Sequence, residues 1–179
     1  MPLKDLLFGF EGRIRRRDWW IWSIGVSLAY MVVALIAGTL VFGGVGRLDA
    51  YLTGALGQRS WQTVLFDLSV LPLLWVQTAL AAKRAHDRNV GAAVAVGLTL
   101  LSGLLTFVPT GVDLLMGSAI SDDAFNALGQ GLNLISGVAN LYLLVFLGFL
   151  DGTQGPNRFG RSPKGIGGDT ADSAANVFS

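Results

Sequence analysis

Lys83-Arg84-Ala85-His86-Asp87-Arg88-Asn89 packs five ionisable residues into six positions and holds the only histidine of the chain. An apolar run lies on each side of it. Residues 62–82 precede it with Asp67 as their one charge, and residues 91–108 follow with none. A helix needs about 20 predominantly apolar residues to cross the hydrocarbon core of a bilayer. A charged stretch between two such runs reads as the turn of a transmembrane hairpin.

Working outward, residues 19–42 and 132–150 are two further uncharged runs. The sequence thus predicts an all-α integral membrane four-helix bundle of two helical hairpins, with spans at 19–42, 62–82, 91–108 and 132–150. Composition agrees. Of 179 residues, 52% are hydrophobic and 14% charged, where a soluble domain carries about 25% charged residues. The 24 glycines suit close helix packing in lipid. Residues 19–42 are too long for the h-region of a signal peptide, which runs to about 7–15 residues, and are expected to stay as the first span. Pro72 is expected to kink the second span. Residues 112–120 are apolar but too short to cross, and read as an interfacial stretch.

Charge placement sets the orientation. The juxtamembrane segment 1–18 carries Lys4, Arg13, Arg15, Arg16 and Arg17, and is expected to act as a topology signal or short interfacial helix. The tail, 151–179, carries Arg158, Arg161 and Lys164, and its end reads as disordered. With the central turn these hold eleven of the thirteen Lys and Arg; the alternate loops hold only Arg47 and Arg59. The positive-inside rule then places both termini and the turn in the cytoplasm. Trp19, Trp20 and Trp22 fall at headgroup level, where indole rings favour a half-wet site.

Three polar motifs therefore share one side. Gly12-Arg13-x-x-Arg16-x-x-Trp19 opens the first span, Lys83-Arg84-x-His86-Asp87 follows the second, and Gly152-Thr153-x-Gly155-x-Asn157-Arg158-Phe159-Gly160-x-x-Pro163 follows the last. In this order they resemble the bacterial family catalogued as domain of unknown function 805. The resemblance covers most of the chain and implies a small inner-membrane protein, without importing an activity. Two departures stand out: Val90-Gly91-Ala92 replaces an aromatic usual after the His-Asp pair, and the first and third loops are long.

Neighbouring helix ends in a bundle lie within about 10 Å of each other, so the motifs are expected to form one cap. Arg13, Arg16, Lys83, Arg84, Arg88 and Arg158 would make a cationic ring, with Asp87 and Asp151 orienting the guanidinium forks and His86 and Asn157 beside them. Arginine forks bind phosphate bidentately, and basic pockets between helices take anionic headgroups. A histidine also titrates near neutrality. The same residues read equally as a structural lock and a topology signal. Anionic membrane lipids, a homo-oligomer or a membrane-protein partner are the expected partners; a net charge of +1 suggests no nucleic acid.

Catalysis ranks last. His86-Asp87 has no nucleophile motif beside it, and Ser102 and Ser162 lack a nucleophile elbow. One His with scattered Asp and no Cys cannot supply the three or four ligands of a metal site, so no metal or cofactor is expected. The alternative to a binding cap is a transporter or channel subunit. Asp67 is a charge within a span, and such residues are often functional. Asn126, Asn133 and Asn140 recur every seven residues, which makes a stripe drifting by about 20° per repeat. That stripe reads as interhelical glue beside Ser136 and Gly137, or as a polar path shared with Asp67 and Gln77.

Overall fold

A long uncharged segment in lipid must satisfy its backbone internally, and a helix does so within one segment. The computed structural model describes residues 2–44 and 61–165. The expectations placed on Arg47 and Arg59 and on the disordered end of the tail lie outside the described residues.

Every regular element among the described residues is helical. A short helix α1, Leu3–Phe8, precedes α2, Arg16–Phe42. The second span is α3, Trp61–Leu68, followed after Ser69-Val70 by α4, Leu71–Asp87. The third is α5, Ala93–Leu105, continued by α6, Val108–Met116. The fourth is α7, Asp122–Leu143, which widens into a π-helical turn over Leu144–Phe149. Among the described residues, four helical stretches are long and apolar enough to cross a membrane: Arg16–Phe42, Val64–Asp87, Ala93–Met116 and Asp122–Phe149.

Three boundaries differ from the sequence reading. The second span does not stop at residue 82: Lys83, Arg84, His86 and Asp87 are helical. Alanines 79, 81, 82 and 85 favour the helix and are buried, and the charged side chains find partners on other elements. The helix ends in a Schellman motif. Val90 N–H bonds Ala85 O and Asn89 N–H bonds His86 O, with Asn89 in the left-handed region at φ 58°. The third span runs on past Pro109, because a proline in the first turn of α6 removes a donor that would lack a helical partner anyway. This takes residues 112–116 of the expected interfacial stretch into the helix. The fourth begins ten residues early at Asp122, where Ser121 Oγ accepts from Ala124 N–H as an N-cap. The break near Pro72 falls just before it, at Ser69-Val70.

Helix α4 is the axis of the bundle. It packs against α1, α2, α5 and the π turn, while α5 also packs on α7. The core gathers at one end, around Ile14, Trp19, Val76, Leu80, Ala85 and Leu147. Away from it the spans turn large apolar side chains outward, among them Ile24, Leu28, Val32, Ile36, Leu134, Val138 and Leu141. Lipid solvates these as well as protein would, so the bundle is held by close packing and by polar bonds. Those bonds concentrate at the same end as the core, which also carries the three motifs.

Candidate functional site

A helix leaves its last carbonyls without intrahelical donors. At the end of the fourth span five consecutive carbonyls, 146 to 150, each receive a side-chain donor from another element. Arg88 Nη1 donates to Phe146 O at 3.2 Å. Arg84 Nε donates to Leu147 O at 2.8 Å, and its Nη2 to Leu150 O at 2.5 Å. Trp20 Nε1 donates to Gly148 O at 3.0 Å, and Arg16 Nη1 to Phe149 O at 3.0 Å. Cations also suit the negative end of a helix dipole. The first two motifs thus cap the helix from which the third departs. The π turn belongs to this device: a wider turn re-aims carbonyls that a regular helix would keep. Trp20 is half-buried, and its indole N–H is engaged by Gly148 O.

Asp87 is the centre of the knot. One oxygen, Oδ1, accepts from Arg13 Nε and Nη2 at 3.2 and 3.0 Å. The other, Oδ2, accepts from Arg84 Nη1. All three residues are buried. Two guanidinium groups on one carboxylate leave an excess positive charge, which is costly away from water. Carbonyls offset it: Arg13 donates to Gly155 O and Thr153 O, both at 2.8 Å, and to Gly160 O at 3.2 Å. A triad of this kind is stable only when every remaining donor is satisfied.

The tail closes over this centre. Thr153 N–H and Oγ1 both donate to Asp87 O, at 2.8 and 2.9 Å. Asn157 Nδ2 donates to His86 O at 2.9 Å, and its Oδ1 accepts from Phe159 N–H at 2.9 Å. Asn157 and Gly160 exchange backbone bonds at 3.0 Å, which makes a tight turn. The Phe159 ring stacks on His86, with centroids 4.0 Å apart. His86 Nδ1 lies 3.2 Å from Gly12 O, and since a carbonyl only accepts, Nδ1 carries the proton. Gly152 is required here, since a Cβ would stand 1.9 Å from Asp87 Oδ2.

The structure thus brings all three motifs together, but it divides their residues. Arg13, Lys83, Arg84 and Asp87 are buried. Lys83 Nζ reaches Leu6 O at 2.8 Å and also Gly9 O, tying down α1. Arg88 and His86 are half-buried; Arg88 lies 3.9 Å over the Phe146 ring. Arg158 is exposed, donating to Asn89 O at 3.3 Å. Arg16 is also exposed, and pairs with exposed Asp151 at 3.3 Å. Around it Arg15, Arg16, Arg17, Asp151 and Lys164 line an open groove of about 290 Å³. Arg15, Arg17 and Lys164 stand outside the cationic ring that the sequence predicts. Their signal was present in the Arg15-Arg16-Arg17 run, but the fold of the tail was needed to add Lys164.

A second polar region lies between the spans. Gln77 Nε2 donates to Ser23 O and Ser27 Oγ, both at 3.0 Å, tying α4 to α2. Beside them is a cavity of about 450 Å³ reaching from Trp19 to Asn140. Another, of about 740 Å³, is lined by Asp67, Ser102, Thr106, Asn133, Ser136 and Asn140 with apolar neighbours. Asn140 lines both. Asp67 Oδ2 accepts from Thr110 Oγ1 at 2.5 Å. Asn126 lines neither cavity, so the stripe serves the cavities through two of its three members.

Comparison with known proteins follows the same motifs. The model of a family described as "Protein of unknown function (DUF805)" matches residues 7–161. The chain belongs to this family. The matched range takes in the Gly12–Trp19 and Lys83–Asp87 motifs and all but the last residues of the tail motif. Two relatives are the uncharacterized protein YiiR of Escherichia coli (strain K12) and that of Escherichia coli O157:H7. Each is 31% identical to this chain over 170 residues, covering 93% of this chain and 93% of the relative. No solved structure matches. In this member of the DUF805 family the motif residues are those that tie the three segments to one another.

Proposed function

We propose that this protein is a non-enzymatic, multi-pass protein of the bacterial inner membrane whose basic end faces the cytoplasm and binds anionic lipid headgroups. The observation that carries the reading is the division among the cations. Arg13, Lys83 and Arg84 are buried against protein oxygens, while Arg15, Arg16, Arg17 and Lys164 border a groove open to solvent, where Arg15 Nε also donates to Pro163 O and Arg16 Nη1 to Phe149 O. Headgroup binding therefore belongs to this collar, and the buried arginines shape it. The placement of eleven of thirteen Lys and Arg on one side supports the orientation. A non-enzymatic role is supported by the His86-Asp87 pair. Both carboxylate oxygens face arginines, and the imidazole turns to Gly12 O, so the two side chains do not form a base and its orienting partner.

The test is lipid retention. Each Lys or Arg near an anionic surface contributes about 1 kcal/mol, so removing three should weaken binding by roughly 100-fold. Native mass spectrometry of the wild type in micelles doped with phosphatidylglycerol is expected to show bound lipid. The Arg16→Ala/Arg17→Ala/Lys164→Ala variant is expected to lose it, while phosphatidylcholine binding stays as low in both. Equal phosphatidylglycerol retention by the two proteins would reject the collar as the headgroup site.

A further inference from the structure

Helix α2 packs on α4 and on the π turn but touches α7 itself only slightly. The first and fourth spans are therefore joined at the basic end and part below it, and the cavity of about 450 Å³ occupies the wedge between them. Gly148 sets the join. A Cβ there would stand 2.7 Å from the Trp20 ring and 3.2 Å from Cζ3 of Trp19, the edge of that indole opposite Nε1. Ile24 and Leu28 border the cavity and are half exposed, so it opens on the side that hydrocarbon covers in a bilayer.

The chemistry of the wall points to one class of occupant. No ionisable side chain lines the cavity, so a charged solute would lose its water there without gaining a counter-charge. Two donors on α2 stand unused. Trp19 is only 9% exposed, and its Nε1 is buried with no hydrogen-bond partner among the described residues. Ser23 Oγ, one turn deeper, is in the same state. Their polar neighbours are already engaged: Gln77 Nε2 donates to Ser23 O and Ser27 Oγ, and Thr99 Oγ1 to Ala95 O. An indole N–H can only donate, and a buried donor left unpaired is costly. The space therefore suits an apolar body that ends in an acceptor without a donor. An ester carbonyl at the head of a hydrocarbon chain has that chemistry, and in a bilayer it lies next to the headgroup level that interfacial tryptophans occupy.

We propose that this cavity seats one acyl chain of a glycerophospholipid, whose ester carbonyl accepts from Trp19 Nε1. The Ser23 hydroxyl is a second donor about 6 Å further along the helix, and the chain runs on past Ile24 and Leu28. The proposal rests on the headgroup reading of the collar and extends it. Arg16 borders the groove, and Trp19 and Trp20 follow it one turn on along the same face of α2, where they border the cavity. Arg16 and Trp20 also donate to successive carbonyls of the π turn, Phe149 O and Gly148 O. Groove and cavity are thus consecutive along one seam, in the order of phosphate, ester and chain within a lipid. The collar reads the charge, and the cavity reads the ester linkage.

The experiment is native mass spectrometry of the full chain in micelles doped with equal amounts of a diester and a diether phosphatidylglycerol of matched chain length. The ether lipid keeps the headgroup and the chains but lacks the carbonyls. The readout is the ratio of the two lipids retained. One hydrogen bond corresponds to roughly fivefold in affinity, so the wild type is expected to prefer the diester lipid by about that factor. Trp19→Phe is expected to bring the ratio close to one and Ser23→Ala to lower it; neither removes a side-chain hydrogen bond within the protein. Trp22→Phe, which lies outside the cavity, should leave the ratio unchanged. Arg16→Ala/Arg17→Ala/Lys164→Ala should lower retention of both lipids and preserve their ratio. Undiminished retention in that variant, with the diester preference intact, would sink the collar and uphold the cavity. Equal retention of the two lipids by the wild type overturns the cavity site whatever the collar does, and retention of neither overturns both. A full diester preference in a folded Trp19→Phe protein also overturns it. If that variant fails to fold, an unchanged preference in Ser23→Ala does the same.

Discussion

Arg84 is fully buried, and its guanidinium meets Leu147 O, Leu150 O and Asp87 Oδ2. Ser102 is nearly as buried, and its hydroxyl meets nothing. The two side chains belong to adjacent helices, α4 and α5, that pack closely on each other. Desolvating a guanidinium costs far more than desolvating a hydroxyl, so the basic end folds only if its partners converge, whereas the middle tolerates loose groups. The knot fixes the ends of the spans relative to one another. The region between them keeps room and hydrogen-bonding capacity for something else. The polar bonds that fix the architecture thus sit at one end of this bundle, and a buried, unpartnered hydroxyl sits away from it.

Unfolding titrations in mixed micelles can break that comparison. The largest loss is expected for Asp87→Ala, which strands Arg13 and Arg84 without a counter-charge; breaking a buried ion pair from one side costs about 3–5 kcal/mol. Gly152→Ala follows. Its Cβ would press on an Asp87 carboxylate held by two arginines, and overpacking of this kind costs roughly 1–3 kcal/mol. Trp20→Phe keeps the ring but leaves Gly148 O without its donor, a loss of about 1 kcal/mol. Ser102→Ala should fall within about 0.5 kcal/mol of the wild type, because it removes no bond. If Ser102→Ala destabilised the protein as much as Trp20→Phe, the middle would be as tightly specified as the knot. If Asp87→Ala were neutral, the knot would not hold the fold.

Much of this architecture was legible from pattern alone. Apolar runs located every span, and the spacing of Gly12, Arg13, His86, Asp87 and Asn157 marked the residues that meet. The errors have physical causes. Lys83 to Asp87 read as a loop because charges are costly in a span, and the partners that satisfy them come from residues as distant as Leu6, Arg13 and Leu147. The early start of the fourth span was hidden by Asp122, Asp123 and Asn126, which lower its hydropathy but suit a helix N-terminus. Pro109 marked a helix end, yet it sits where a new helical turn begins. Capping of five successive carbonyls could not be read from sequence at all. It depends on a π turn, and no local residue preference announces one.

The knot is tied last. A chain leaves the ribosome from its amino terminus, so Arg13 and Asp87 enter the membrane environment long before Thr153 and Gly155 exist to receive the guanidinium. Until the fourth span has emerged, Arg84 also lacks Leu147 O and Leu150 O. A chain cut short after the third span would keep its hydrophobic helices and leave Arg13, Arg84 and Asp87 without the carbonyls that complete the knot. Completion of synthesis is thereby written into the electrostatics of the fold.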